Sequence, residues 1–365
     1  MTDGRRWMAD GRWRTADGGR RMADGGWRTE DGRGRSSAGR TAARPALHEH
    51  LSGRRLARLA ALVGVSVVLA ACSQKPDAPP APPVVTTEFD GEAALRYAAA
   101  QVAFGPRVPG SESHRKAGDW IVAQMIQRGA VVTEQKWTHT TKGGRTLPLR
   151  NILARFNPGA TERVLYLTHW DTRPTADMET DPADQLKPID GANDGASGVG
   201  LFVALADALQ KKPSALGVDL LFVDGEDYGE FAPQVDVLLG STYFASHLPE
   251  PGYRPIFGVL FDMIGDADLK IPQEINSVQR APEVVQRVWS KAAEMGRGNV
   301  FLAREGQAVT DDHIPLLDAG LKVINVIDLD YGPGNSYHHT LQDTMDKLSA
   351  ASLKIVGDIA LALLR

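Results

Sequence analysis

Beyond residue 87 the chain reads as two interleaved periodicities. Apolar residues fall at helical spacing in GEAALRYAAAQVAFG (91–105) and in SHRKAGDWIVAQMIQRG (113–129), which Gly129 closes. AVVTEQKWTHT (130–140) and LRNILARFN (149–157) predict strands. Four further segments, 163–168, 218–223, 256–261 and 322–329, are short runs rich in Val, Leu, Ile and Phe. Helical patterns lie at 196–210, 281–296 and 350–365, with a short one at 311–320. Apolar strands that alternate with helices are covered on both faces. They predict one α/β domain over residues 88–365, three-layer α/β/α with a central, mostly parallel mixed sheet.

The first 87 residues lack this patterning. MADGRWRTADGGRR (8–21) recurs as MADGGWRTEDGRGR (22–35), rich in Gly and Arg and without branched aliphatic residues. Residues 1–53 are therefore expected to be disordered and to lie upstream of the true start. In RRLARLAALVGVSVVLAACSQ (54–74), Arg54, Arg55 and Arg58 precede an apolar run from Ala60 to Ala71, too short for a stable membrane span. Its end, Leu69-Ala70-Ala71-Cys72, resembles the lipobox of bacterial lipoproteins. That implies a signal peptide over 54–72, cleavage before Cys72 and a lipid on its sulfur. The product would be anchored in the cell envelope, on the outer membrane facing the periplasm, since Ser73 rather than Asp follows. The alternative is an ordinary signal peptide with an incidental Cys. SQKPDAPPAPPVVTT (73–87) reads as a Pro-rich tether. Cys72 is the only cysteine, so the domain that follows has no internal disulfide. A net charge of −4 gives no electrostatic ground for binding nucleic acid, and the domain is taken to act as a monomer.

The candidate chemistry collects where strands stop. In open α/β sheets, binding sites lie beyond the carboxyl ends of the strands. The first of the four apolar runs leads into His169 and Asp171, the second into Asp224-Gly225-Glu226-Asp227, the third into Asp262. The fourth leads into a loop with His338 and His339, and GANDGASG (191–198) puts Asp194 at the start of a helix. Singly, each has a plain structural role. Asp194 reads as a helix N-cap, His169 as a hydrogen-bonded core histidine, and Asp262 as a turn cap. His338-His339 reads as a solvated pair, and Asp311-Asp312 as acidic caps of a short helix. Together the carboxylates would repel, and no run of Lys or Arg offsets them. A divalent cation satisfies them jointly. Imidazole and carboxylate ligands without thiolate suit a catalytic zinc with an open position.

HWD, GANDGASG, DGED, FDMIGD, DDHIP and HHTLQDT occur in that order. Together they resemble the signature of the zinc aminopeptidase (M28-like) clan, which includes the glutaminyl-peptide cyclotransferases. The resemblance implies Asp194, Asp227 and His339 as zinc ligands and Glu226 as the general acid/base. It puts His169 and Asp262 at a second metal position, filled in two-zinc aminopeptidases, with Asp171 orienting His169 from behind. Twelve residues, YGEFAPQVDVLL (228–239), separate Asp227 from Gly240-Ser241, where such aminopeptidases continue almost at once. The insertion, with Phe231 ahead of Ala-Pro-Gln, is similar to that of the cyclotransferases. In them Asp311 would join Glu226 and Asp262 in a proton-sharing network. His338 stands where the family carries a Trp before its ligand His, so it is either a pocket wall or a competing ligand. What the resemblance implies is one zinc and conversion of N-terminal Gln, on peptides or proteins, to pyroglutamate with release of ammonia. A two-zinc aminopeptidase and a peptide-binding lipoprotein with an inactive site are the alternatives.

Overall fold

The structure, a computed structural model, describes residues 88–365 and the backbone of residues 6–9 and 12–15. The expected signal segment at 54–72 with Cys72, the tether at 73–87 and the rest of the Arg/Gly repeat lie outside the described residues. Within the repeat, β1 (Arg6–Ala9) pairs antiparallel with β2 (Arg12–Thr15). This differs from the expectation of no regular structure there. The chain divides into two compact units, 1–81 and 82–365, and all that follows concerns the second.

This unit begins with α1 (Gly91–Val102) and α2 (Glu112–Gln127). Asp90 and Ser111 cap them, accepting from the backbone N–H groups of Ala93 and His114. β3 (Val131–Thr140) and β4 (Thr146–Phe156) form a long antiparallel hairpin. β5 (Arg163–His169), α3 (Ala196–Lys211), β6 (Gly217–Val223), α4 (Leu239–Ser246) and β7 (Phe257–Asp262) follow. β8 (Ile271–Gln273), α5 (Ile275–Arg280), α6 (Pro282–Glu294), β9 (Phe301–Glu305), α7 (His313–Asp318), β10 (Val323–Ile327) and α8 (Ala350–Ala362) complete it.

The main sheet has the order β10-β7-β5-β6-β4-β3. Its first four strands are parallel, and β4 and β3 extend it antiparallel. β8 and β9 make a separate parallel pair, too short and too polar to stand out in the hydrophobic pattern. Every residue of β5, β6, β7 and β10 is buried, and successive side chains point to opposite faces. Val164, Tyr166, Leu220, Phe222 and Phe261 pack with residues of α1, α2, α3, α6 and α8. Leu165, Leu167, Leu221, Val223 and Leu260 pack with Phe244 of α4 and Leu316 of α7. These are the three expected layers. α3 is buried nearly all round because α1 and α8 cover the side that faces away from the sheet. Among the described residues, no helix is long and apolar enough to cross a membrane.

Candidate functional site

The strand-end residues singled out above meet at the carboxyl edge of the parallel strands. His169 ends β5 and Asp262 ends β7; Asp194 precedes α3, Glu226 and Asp227 follow β6, and His338 and His339 lie between β10 and α8. Asp194 is their hub. Its Oδ1 is 3.0 Å from Nε2 of His169, which lies 3.2 Å from Oδ1 of Asp262. Its Oδ2 is 3.6 Å from Nε2 of His339 and 4.0 Å from Nε2 of His338. His339 Nε2 is 3.4 Å from Oδ1 of Asp227. Two groups thus offer donor atoms within 4.8 Å of one another, Asp194-His338-His339 and His169-Asp194-Asp262.

The plain structural roles fit poorly. α3 starts after Gly195 with no side-chain cap, so Asp194 does not cap it, and Asp312 does not cap α7. A Cβ on Gly195, whose φ is +96°, would sit 2.6 Å from the carbonyl oxygen of Asp171. Only glycine lets the backbone pass so closely behind the site. His339 and Met263 adopt left-handed backbone at φ +53° and +49° without being glycine, a strain that gathers at functional sites. Asp343 accepts from the N–H groups of Asn193 and Asp194 at 2.8 and 3.1 Å and from the Tyr331 hydroxyl at 2.8 Å. It joins the Asp194 turn to the loop that carries His339.

Asp171 lies behind His169, as expected, and has a second task. Its oxygens accept from the N–H groups of Glu226 and Asp227 at 3.1 and 3.3 Å. Its 3.6 Å separation from His169 Nδ1 is too long for a full hydrogen bond. It therefore fixes the backbone of the acidic pair more directly than it fixes the imidazole. The insertion folds back on the same pair: Leu238 and Leu239 donate to the carbonyls of Glu226 and Gly225 at 3.0 and 3.1 Å. Phe231, at its tip, stands 6.5 Å ring to ring from His339. The rings of His338 and His339 are 3.8 Å apart, and His338 Nδ1 meets Asn335 Nδ2 at 3.1 Å.

Glu226 and Asp311 are held well above the usual carboxylate range. Burial is the main cause for both. For Glu226, the nearby His169 opposes the shift while the charges of Asp227 and Asp311 add to it; for Asp311, Asp262 adds most. Among the described residues no hydrogen bond joins Glu226, Asp262 and Asp311. Asp311 instead accepts from Asn325 Nδ2 at 2.7 Å and from the N–H of Asp312 at 2.6 Å. The expected proton-sharing network is, as placed here, an electrostatic cluster. Burial also pushes Asp227 up to about 7, against the opposing His339 and Arg173. Burial lowers His338 to about 3, and the charge of His339 adds to this.

Arg173 and Asp177 are functional candidates that the sequence reading passed over. Arg173 Nη1 donates to Asp227 Oδ1 at 2.7 Å, and its Nε and Nη2 donate to Asp177 at 2.6 and 3.0 Å. Asp177 Oδ1 is 3.5 Å from His339 Nδ1. Arg107, also buried, donates to the carbonyls of Asp190 and Gly191 beneath the Asp194 turn. The acidic edge therefore does contain cations, as single buried guanidiniums rather than a run. The one available signal was the Arg within HWDTRP.

Imidazole and carboxylate donors converge, and one of their atoms, Asp227 Oδ2, is buried without a hydrogen-bond partner. Buried polar atoms are ordinarily paired, so the residues present fit a divalent metal.

Residues 151–364 match peptidase family M28. Aminopeptidase YwaD of Bacillus subtilis is 26% identical over 68% of this chain, and the match spans 52% of that protein. A glutaminyl-peptide cyclotransferase-like protein of Mus musculus is 26% identical over 65% of this chain and 66% of its own length. The chain thus spans about half to two thirds of these curated relatives. Among solved structures, the Bacteroides thetaiotaomicron glutaminyl cyclase bound to N-acetylhistamine superposes with a TM-score of 0.72. It is 35% identical and covers 76% of this chain and 98% of its own.

Proposed function

The chain belongs to peptidase family M28, and from that premise we propose that it is a zinc-dependent glutaminyl-peptide cyclotransferase. The observation that carries this reading is the insertion after Asp227. It turns back onto the acidic pair and brings Phe231 beside His339, which supports a closed pocket for a small side chain. The similarity to cyclases over almost their whole length supports the same reading.

Asp194, Asp227 and His339 would hold the metal. Bound there, zinc supplies Lewis acidity toward the side-chain amide carbonyl of an N-terminal glutamine. Glu226 takes a proton from the α-amine as its nitrogen bonds to the amide carbon. The bond from that carbon to the side-chain nitrogen then breaks, and Glu226 returns the proton to the departing ammonia. The raised proton affinity of Glu226 suits a group that both accepts and returns a proton. No water enters, and the pocket wall helps to exclude it. The expected stoichiometry is one zinc per chain.

A two-zinc aminopeptidase is the second reading, favoured by the His169-Asp194-Asp262 group. Ammonia release from Gln-Ala, run beside leucine release from Leu-Ala, separates the two. Leucine release without ammonia overturns the cyclotransferase. We also propose that lipid on Cys72 anchors the mature chain to the envelope membrane, on the strength of the basic, apolar, Ala-Ala-Cys order at 54–72. Intact mass of membrane-extracted protein tests this, and a chain that retains residues 1–71 would contradict it.

A further inference from the structure

We propose that Arg173 is a positioning residue that sets both Asp227 and His339 at once. Three of its nitrogens are committed. Nη1 holds Oδ1 of Asp227 at 2.7 Å, while Nε and Nη2 grip the two oxygens of Asp177 at 2.6 and 3.0 Å. Asp177 in turn faces Nδ1 of His339 at 3.5 Å, and Nε2 of that ring points back to Asp227 at 3.4 Å. Arg173, Asp177, His339 and Asp227 thus close a ring of contacts. Asp227 and His339 lie 112 positions apart in the chain, yet one guanidinium spans the gap between them.

The planar fork explains why an arginine serves here. It holds a carboxylate two-handed on one side and keeps a third donor for Asp227 on the other, which a lysine cannot do. Its side chain is only 6% exposed and that of Asp227 1%, whereas Asp177 is 44% exposed, so the Asp227 side of the clamp is shielded from water and the Asp177 side is open to it. Phe231 lies 5.9 Å from the guanidinium carbon, which places the clamp against the insertion as well. The clamp holds one oxygen of the Asp227 carboxylate, Oδ1, and leaves the other, Oδ2, without a hydrogen-bond partner.

This inference rests on the metal centre proposed above, and its test reads metal binding without turnover. Zinc affinity of the full chain is measured by competition with a chromophoric chelator for wild type, Arg173→Gln, Asp177→Asn and the double variant. Loss of an outer-shell partner weakens metal affinity by roughly 10–100-fold, and Arg173→Gln is expected in that range. Since Arg173 and Asp177 act on His339 as one unit, the double variant should be no weaker than Arg173→Gln alone. Arg173→Lys, which keeps the charge without the fork, should recover only part of the loss. Wild-type affinity in Arg173→Gln, or additive losses in the double variant, would overturn the proposal. Should Arg173→Gln fail to fold, Arg173→Lys carries the same decision, and wild-type affinity in it would overturn the clamp. A wild type that binds zinc but releases leucine rather than ammonia overturns the cyclotransferase reading alone and leaves the clamp standing.

Discussion

The two ends of the central sheet solve the burial of charge in different ways. At the amino ends of the parallel strands there is one fully buried carboxylate, Asp219. Arg163 Nε holds it at 3.0 Å, Arg155 Nε at 3.3 Å and the Tyr253 hydroxyl at 2.7 Å. At the carboxyl ends Asp194, Glu226, Asp227, Asp262, Asp311 and Asp312 are buried within one cluster. Their partners there are histidines with Arg173 and Asn325, and Asp227 Oδ2 and both oxygens of Asp312 stay without a hydrogen-bond partner. The difference teaches that buried acid alone does not mark a site. Two guanidiniums and a phenol take both oxygens of Asp219, whereas Arg173 takes only one oxygen of Asp227. Imidazole nitrogens at 3.4 to 4.0 Å from carboxylate oxygens are too far apart for good hydrogen bonds and present the donor set that a divalent cation would take.

The strongest way to break this contrast is His339→Ala. Removal of a ligand should weaken zinc binding by more than the roughly 10–100-fold that follows loss of an outer-shell partner. Elemental analysis after dialysis reads the outcome, and full zinc content would remove His339 from the site. Next comes Glu226→Gln, which keeps every proposed ligand and the shape of the side chain. It should lower kcat by roughly 10²-fold or more, because a placed proton carrier is lost, while zinc content stays unchanged. Near-normal turnover there would sink the general-base assignment.

The opposite end gives the complementary result. Asp219→Asn leaves Arg163 and Arg155 facing a neutral group in a buried setting, and removing one partner of a buried pair costs about 3 kcal/mol. Denaturant unfolding should show this loss, with zinc content and kcat of the folded protein unchanged. A fall in zinc content without loss of stability would mean that the two ends are not independent. Smaller still is Phe231→Ala. Its ring stands beside His339 without ligating anything, so KM for Gln-peptides should rise roughly tenfold, the range for one lost apolar contact, at constant zinc.

The sequence told these two ends apart only in part. The four parallel strands were legible because they are continuous apolar runs, and the rule that sites lie beyond strand ends then picked out Asp194, Glu226, Asp227, Asp262 and both histidines. α4 (LGSTYFAS) and α5 (INSVQR) carry no clear apolar period. They hold their shape through packing against α7 and α6. The roles of Arg173, Asp177, Asn325 and Asp343 could not be read for a different reason. Each is a single polar residue whose role exists only through a distant partner, as Asp343 acts on Asn193 from 150 positions away. Asp219 was equally silent, since an Asp inside an apolar strand announces neither Arg163 nor Tyr253. Local pattern reports burial and strand ends; which polar group meets which is decided by the sheet order.

The finest test concerns His338. The family resemblance puts a Trp at this position, and here an imidazole lies between pocket wall and ligand. Its Nε2 is 4.0 Å from Asp194 Oδ2, against 3.6 Å for His339. It has no carboxylate behind its Nδ1, where His339 has Asp177 and His338 has only Asn335. A metal-bound His ordinarily gives its second nitrogen to a carboxylate, carbonyl oxygen or water, so the geometry favours His339 as ligand and His338 as wall. His338→Trp should therefore keep zinc content at the wild-type level. It should also lower KM for Gln-peptides a little, by roughly the few-fold worth of added apolar contact. Loss of zinc in this variant, with zinc retained in His339→Ala, would exchange the roles of the two histidines.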